Sequence, residues 1–353
     1  MSDELLRALS GTRGIDAWKI VEHRVEGREL FLIGGRVDMR RAKTVRRAQL
    51  TLYRDGRRGA QPLRGSMTLS LPGDCRAGEL KRLVRQAAEA ARWVENPHFP
   101  LVRPGLGEPA PPASAYAPPS VDLDASLELL AEALLAAESP AEPGRLNSAE
   151  LFLETIQTRI RNSEGVDVGF SSFRGSGELI VEARDEGSEV ELYQELDFAQ
   201  AEPGLLQEEA RRQLQLCGDR LRAQPTPALG ASPLLLTGEA VPALFEYFLF
   251  HASAESAYNG LAGFAVGGPV QGRETPVEAL DLELTPHLAH SSRSRPWDED
   301  GWPLRPAPLV RDGRLLRCWG SVRHCHYLGV PPTGNLPNPV SYTHLTLPTI
   351  YSV

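Results

Sequence analysis

Seven prolines stand between Pro100 and Pro119, with Gly105 and Gly107 among them. Proline fixes φ, removes a backbone donor and pushes the preceding residue out of the helical region, so neither a helix nor a regular ladder can run through this stretch. Residues 101–120 are therefore expected to form an extended Pro-rich linker between folded units. With 353 residues there is room for about two domains of ~150 residues and a sizeable core. No window approaches the ~18 consecutive apolar residues of a membrane span. The opening residues 1–14 carry Asp3, Glu4, Arg7 and Arg13 and no apolar stretch, so no secretory signal is visible. Cys75, Cys217, Cys318 and Cys325 are scattered, which fits reduced thiols rather than a disulfide framework. A soluble, cytoplasmic protein with no membrane partner is the expectation.

Before the linker, three strand-like pieces run from 29 to 53, turning at Gly34-Gly35, with a second turn expected at Asp55-Gly56. A short strand follows at 67–71. Over 76–95, Leu80, Leu83, Val84, Ala87, Ala88, Ala91 and Val94 share one helical face. After the linker, Asp124 is placed to N-cap a helix with Leu127, Leu130, Ala131, Leu134 and Ala137 as its stripe. Residues 151–158 read as a strand, 162–169 as turn-rich, and Asp185-Glu186-Gly187 as a hairpin turn. Pro203 opens a helix carrying Leu206, Ala210, Leu214, Cys217 and Leu221. Further on come a buried strand at 232–237, an apolar helix over 243–257, a turn at 311–314 and a short helix over 321–328.

The expected fold class is α+β: antiparallel sheets backed by amphipathic helices in the N-terminal part, then a mainly β, incomplete C-terminal domain. The boundaries are an N-terminal sheet-plus-helix domain at 1–100, the linker at 101–120, a middle α+β domain at 121–227, a C-terminal domain at 228–339 and a tail at 340–353.

That tail, VSYTHLTLPTIYSV, has no charged residue. Its string from Val340 to Thr349 resembles, codon by codon, the translation of a transposase-type sequencing adapter. The natural sequence is expected to extend only through about residue 338 and then to continue differently, leaving the third unit truncated.

Charge is unevenly distributed. The net charge is −8, yet residues 28–92 hold 14 Arg and 2 Lys against 6 acids. A basic module on an acidic body is a possible nucleic-acid footprint. It lacks the interleaved aromatics of single-strand binders, and Arg outnumbers Lys 35 to 3, as a GC-rich genome filling solvated faces with Arg would produce. Nucleic acid is not the expected partner.

Several strings, in order, resemble the TldD/PmbA family of metallopeptidase-related proteins: GGRVDMRRAKTVRRAQLTLYRDGRRG, then Arg161-Asn-Ser-Glu-Gly165, Arg295-Pro-Trp-Asp-Glu-Asp-Gly301, Val310-Arg-Asp-Gly-Arg-Leu315 and Tyr327 through Asn335. The metal-bearing branch of that family carries H-E-x-x-x-H, in which two His and a later Cys bind zinc and Glu is the general base. Here the string is Glu246-Tyr-Phe-Leu-Phe-His251. Glu246 takes the first His position, Tyr247 takes the Glu position, and only His251 matches. On a regular helix, residues five apart diverge by about 140°. The resemblance therefore implies the metal-free PmbA (TldE) branch, with no catalytic or metal residue in this chain and with zinc in a partner subunit. His324-Cys325-His326 with Cys318 lacks the C-x-x-C or H-x-x-x-H spacing of a metal site, and one of the three is expected to pack inward while the others are solvated; His287-x-x-His290 sits beside Pro286 in a loop, and neither group is expected to hold zinc.

The resemblance implies a non-catalytic subunit, a pseudoenzyme in a heterodimer with a metal-bearing TldD-like subunit, that helps enclose an extended peptide for proteolysis. Two alternatives stand beside it. One is a self-sufficient metallopeptidase using Glu246, His251 and a later ligand; the other is a regulatory, gyrase-modulator-like nucleic-acid binder.

Overall fold

The computed structural model describes residues 2–107, 121–140, 142–230, 235–237, 240–272, 278–289 and 291–341. Six long strands make one antiparallel sheet: β1 (Ala17–Ile33), β2 (Arg36–Arg58), β3 (Gln61–Pro72), β4 (Gly144–Asn162), β5 (Asp167–Arg184) and β6 (Glu189–Phe198), in the order β3-β2-β1-β4-β5-β6. Four helices, α1 (Ser2–Ser10), α2 (Ala77–Ala91), α3 (Leu123–Leu135) and α4 (Pro203–Leu221), complete this part.

Side chains alternate across a strand, and one face of the sheet takes the helices. Ile20, Leu50, Leu52 and Leu71 pack with Leu5, Leu80 and Val84 of α1 and α2. Leu30, Leu151, Leu153 and Leu179 pack with Leu127, Leu130 and Leu134 of α3 and with Leu206, Ala210 and Leu214 of α4. The apolar stripes expected on α2, α3 and α4 are largely buried; the exception is Val94, which lies beyond the end of α2 at Ala91 and is 38% exposed. The α3 cap is Asp122 rather than Asp124: its Oδ1 accepts from the amides of Asp124 and Ala125 at 3.0 and 3.1 Å. Asp124 instead accepts from Arg28 at 2.8 Å.

Gly34 and Gly35 turn the β1–β2 hairpin with φ of 55° and 71°, a backbone that only glycine adopts freely. Asp185 turns β5 into β6, its Oδ1 accepting from Gly187 and Ser188 at 2.9 and 2.8 Å. Asp55-Gly56 does not turn. Both residues lie inside β2, where Asp55 faces Arg64 of β3 across the ladder. The guanidinium grips its carboxylate at 2.7 and 2.9 Å, and the chain reverses only at Gly59, with φ of 61°.

The proline run does not divide the sheet. β1 pairs with β4 continuously from Lys19↔Asn162 to Ile33↔Ser148, so strands from 1–100 and from 121–227 share one ladder. A run of prolines bars regular structure within itself but leaves its flanks free to pair. Its first part is also packed, since Phe99, Leu101 and Val102 are buried; residues 108–120 lie outside the described residues.

The C-terminal part has helices α5 (Ala240–Ala252), α6 (Ala254–Tyr258) and α7 (Val322–Leu328), and a small antiparallel sheet in the order β10-β7-β8-β9. Its strands are β7 (Leu282–Thr285), β8 (Ala307–Arg311), β9 (Arg314–Leu315) and β10 (Asn338–Ser341). Leu282, Leu284, Leu304, Leu309 and Leu315 form its core with Phe245, Phe248 and Leu249 of α5. The buried strand expected at 232–237 is not found where the structure describes it: Leu235 and Leu236 are in coil, 70% and 38% exposed. An apolar run is buried only when something covers it; residues 232–234 lie outside the description. Val340 and Ser341, assigned to the tail, pair with Glu283 and Leu282 of β7, so the start of the tail forms an edge strand of the small sheet. Residues 342–353 lie outside the described residues.

Candidate functional site

Helix α5 carries the degenerate motif. Its sequence is apolar almost throughout, and its inner side supplies Phe245, Phe248 and Leu249 to the C-terminal core. Glu246 and Tyr247 are exposed and His251 is half-buried. The His251 ring lies edge-on to Tyr247 with centroids 4.6 Å apart, and Phe250 and Phe264 flank it. Its Nδ1 accepts the Gly263 N–H at 3.0 Å and sits 3.2 Å from the Leu261 carbonyl. Gly263 packs closely there, since a Cβ would sit 3.0 Å from Nδ1. A phenol, Tyr247, stands where the resemblance places a carboxylate base, and the Glu246 carboxylate lies one residue before it. The described residues contain no cluster of three or more His, Cys, Asp or Glu side chains placed to hold a metal ion.

The motif strings meet elsewhere, at the junction between the large sheet and the C-terminal part. Asn162, ending β4, shapes its turn by accepting from Glu164 and Val166 at 2.9 and 3.1 Å, and it donates to the Val102 carbonyl at 2.8 Å. Gly301, with φ of 80°, lies against Val166 of that turn. Asp298 organises the facing loop: Oδ1 accepts from the amides of Asp300 and Trp302 at 2.9 Å each, and Oδ2 accepts from Asn335 at 3.1 Å. Gly334 is crowded by Leu304, Trp302 and Asp298. Asp298 is 1% exposed; burial and the nearby Asp300 charge push its carboxyl up to about 7, overriding three backbone donors.

Asp300 closes the junction by an ion pair with Lys19 of β1. Burial alone would lower the Lys19 pKa, yet the Asp300 carboxylate holds it well above the ordinary lysine range. An aromatic seam runs beside this pair. Tyr53, Phe99 and Tyr327 meet edge to face at 5.9 and 6.0 Å, the Arg64 guanidinium lies over Tyr53 and Phe99, and the Tyr327 hydroxyl donates to the Pro97 carbonyl at 2.8 Å.

Between these contacts opens a cleft of about 360 Å³. It is lined by Thr51, Ser66 and Thr68 of the sheet and by Ser253, which caps α6, Glu255 of α6 and His324 of α7. Burial lowers the His324 pKa, with Glu255 partly opposing it. The walls offer hydroxyls, carboxylates and a neutral imidazole, which suit hydrogen bonding to a polar chain. On α7, Cys325 is fully buried, its thiol pushed up to about 11 by burial, while His326 is exposed. His287 is exposed in its loop, and His290 lies outside the described residues.

Sequence reasoning did not find Lys19, Tyr53, Asp298, Asp300 or Tyr327 as neighbours. Lys19 had one available signal, being one of three lysines in a chain with 35 arginines.

Residues 229–351 match the family model of the PmbA/TldA metallopeptidase C-terminal domain. The match runs into the segment whose codons resemble an adapter. Among solved structures, TldE of Thermococcus kodakarensis is 17% identical, with a TM-score of 0.67 over 95% of this chain and 73% of its own. The candidate DNA-gyrase modulator of Thermotoga maritima is 17% identical, with a TM-score of 0.69 over the same shares of 95% and 73%. That of Bacteroides thetaiotaomicron is 16% identical, with a TM-score of 0.71 over 96% of this chain and 76% of its own. Comparison with curated proteins gives no significant match. These findings support the TldD/PmbA family and an α+β fold shared along nearly the whole chain. Among the described residues, no helix is long and apolar enough to cross a membrane.

Proposed function

We propose that this chain is the metal-free subunit of a TldD/PmbA-type metallopeptidase complex, working in the cytoplasm beside a metal-bearing TldD-like subunit and helping to enclose the extended peptide that the partner cuts. The observation that carries this reading is α5. Tyr247 replaces the carboxylate base, Glu246 faces solvent, and the Nδ1 side of His251 is taken by backbone. Zinc belongs, on this reading, to the partner. The polar cleft beside the Lys19–Asp300 pair offers hydroxyl, carboxylate and imidazole groups that can hydrogen-bond a main chain, as a holding surface needs.

The test is reconstitution. The purified chain is assayed for bound zinc and for cleavage of an unfolded peptide, alone and mixed with a metal-bearing TldD-like protein. The expected outcome is no stoichiometric zinc and no cleavage alone, with cleavage in the mixture exceeding that of the partner alone. Zinc near one per chain, with cleavage lost on Glu246→Ala or His251→Ala, would establish a self-sufficient metallopeptidase instead. A salt-dependent shift of DNA by the chain alone would favour the regulatory reading.

A further inference from the structure

The large sheet has an open flank. β3 pairs only with residues 47–58 of β2, whereas β1 pairs with β2 from Arg36 to Tyr53. Residues 36–46 therefore have β1 on one side and, among the described residues, no strand on the other. This free edge is about 35 Å long at ~3.3 Å per residue. It contains no Pro; a bulge at Asp38, between Leu32↔Val37 and Phe31↔Met39, interrupts it near its start, so the regular free edge is residues 39–46, guarded against indiscriminate pairing by its cations. Every residue from 36 to 46 is exposed except the half-buried Lys43.

The edge has a strong charge. Arg36, Arg40, Arg41, Lys43, Arg46 and Arg47 stand against the single acid Asp38. Arg40 reaches Glu128 at 2.8 Å across the surface. Lys43 pairs with Glu29 and Glu154 at 2.9 and 2.8 Å, and Arg41 lies 3.4 Å from Glu29. Arg36, Arg46 and Arg47 make no ion pair among the described residues. Val37, Met39 and Val45 are also exposed, 38–41% each, and lie among the cations along the strand.

Unpaired main-chain groups, cations and interspersed apolar side chains together define a partner. The geometry points to residues 36–46 of β2 as a docking edge for an extended acidic peptide, which adds as a strand beside β2 and sets its carboxylates against the arginines. Main-chain bonds supply affinity that tolerates sequence, and charge supplies the choice of partner. Like charge disfavours β2 of a second copy in the same place. The inference goes beyond the subunit reading and holds whether or not a metal-bearing partner exists.

Fluorescence anisotropy with the full chain tests it. The probe is a labelled peptide of about ten residues alternating Glu with Val; its controls replace Glu by Lys, or place Pro at alternate positions. The acidic peptide is expected to bind at least about tenfold more tightly than either control, to weaken as salt is raised, and to lose about tenfold with Arg36→Glu combined with Arg46→Glu. Both substitutions lie on exposed positions, so the melting temperature serves as a folding check. Amide exchange is expected to slow in residues 36–46 when the peptide is bound. Equal binding of the proline control, no effect of the charge reversals, protection confined to other elements, or dimers dissolved by Arg36→Glu would each overturn the proposal. The last would mean that a second copy fills the edge.

Discussion

Asp298 joins fold and stability through one carboxyl group. Its elevated pKa lies above that of an unfolded aspartate, ~3.9, so folding favours the protonated form. That contribution is full below about pH 4 and is lost as pH rises through about 7. Melting temperature is therefore expected to fall between pH 5 and 8 in the parent chain, and Asp298→Asn is expected to flatten that slope by mimicking the protonated group. Thermal melts across this range check it; parallel profiles would count against the assignment. Lys19 acts with the opposite geometry, a cation kept charged by Asp300. Both side chains are less than a third exposed, so Asp300→Asn should cost about 1.5–3 kcal/mol, the range for a hydrogen bond to a charged group, measurable by urea unfolding. Asp298 and Asp300 share one short loop, but Lys19 is 281 residues from Asp300. Lys19 and Asp300 are brought together by docking, and local pattern reports nothing about that. The degenerate motif was legible because Glu246, Tyr247 and His251 share one short helix, so its meaning needed only residue chemistry.

At the scale of elements, α2, α3 and α4 were legible in the sequence, whereas α1 was not and the one helix expected over 243–257 is two, α5 and α6, parted at the extended cap Ser253. The stripes of α2, α3 and α4 each repeat on one face, so periodicity alone finds them. The first half of β1 gave no such signal: Ile20 and Val21 are both buried although they point to opposite faces, which erases the alternation. Asp55-Gly56 misled for a related reason, since its turn-forming chemistry was outweighed by Arg64 across the ladder. β3 shows how close its packing is. A Cβ at Gly65 would run into the carbonyl oxygens of Ala91 and Val94, which are backbone and cannot swing aside. Gly65→Ala is therefore expected to lift the C-terminal end of α2 from the sheet and cost at least about 2 kcal/mol. Gly56→Ala, whose Cβ meets nothing within 4 Å, should cost far less. Comparing the two melts separates close approach from a general dislike of substitution in these strands.

For the whole molecule, the six-stranded sheet replaces the expected pair of separate units, and this changes how the chain should come apart. Residues 222–230 follow α4 as an exposed coil, and the C-terminal part then contacts the sheet chiefly at the Asp298–Asp300 junction and the aromatic seam. Limited trypsin digestion is expected to cut first after Arg222 and to leave a resistant fragment containing all six long strands; a stable fragment ending near residue 100 would contradict the shared ladder. The proposed division of labour places the same sheet and cleft beside a partner that performs the cutting. The most direct test is to reconstitute the two-subunit complex and measure peptide cleavage after inactivating each helix in turn. Replacing the Glu of the partner's H-E-x-x-x-H should abolish cleavage, whereas His251→Ala in this chain should leave the rate within about twofold. Cleavage that survives the partner's loss and disappears with His251→Ala would contradict the account.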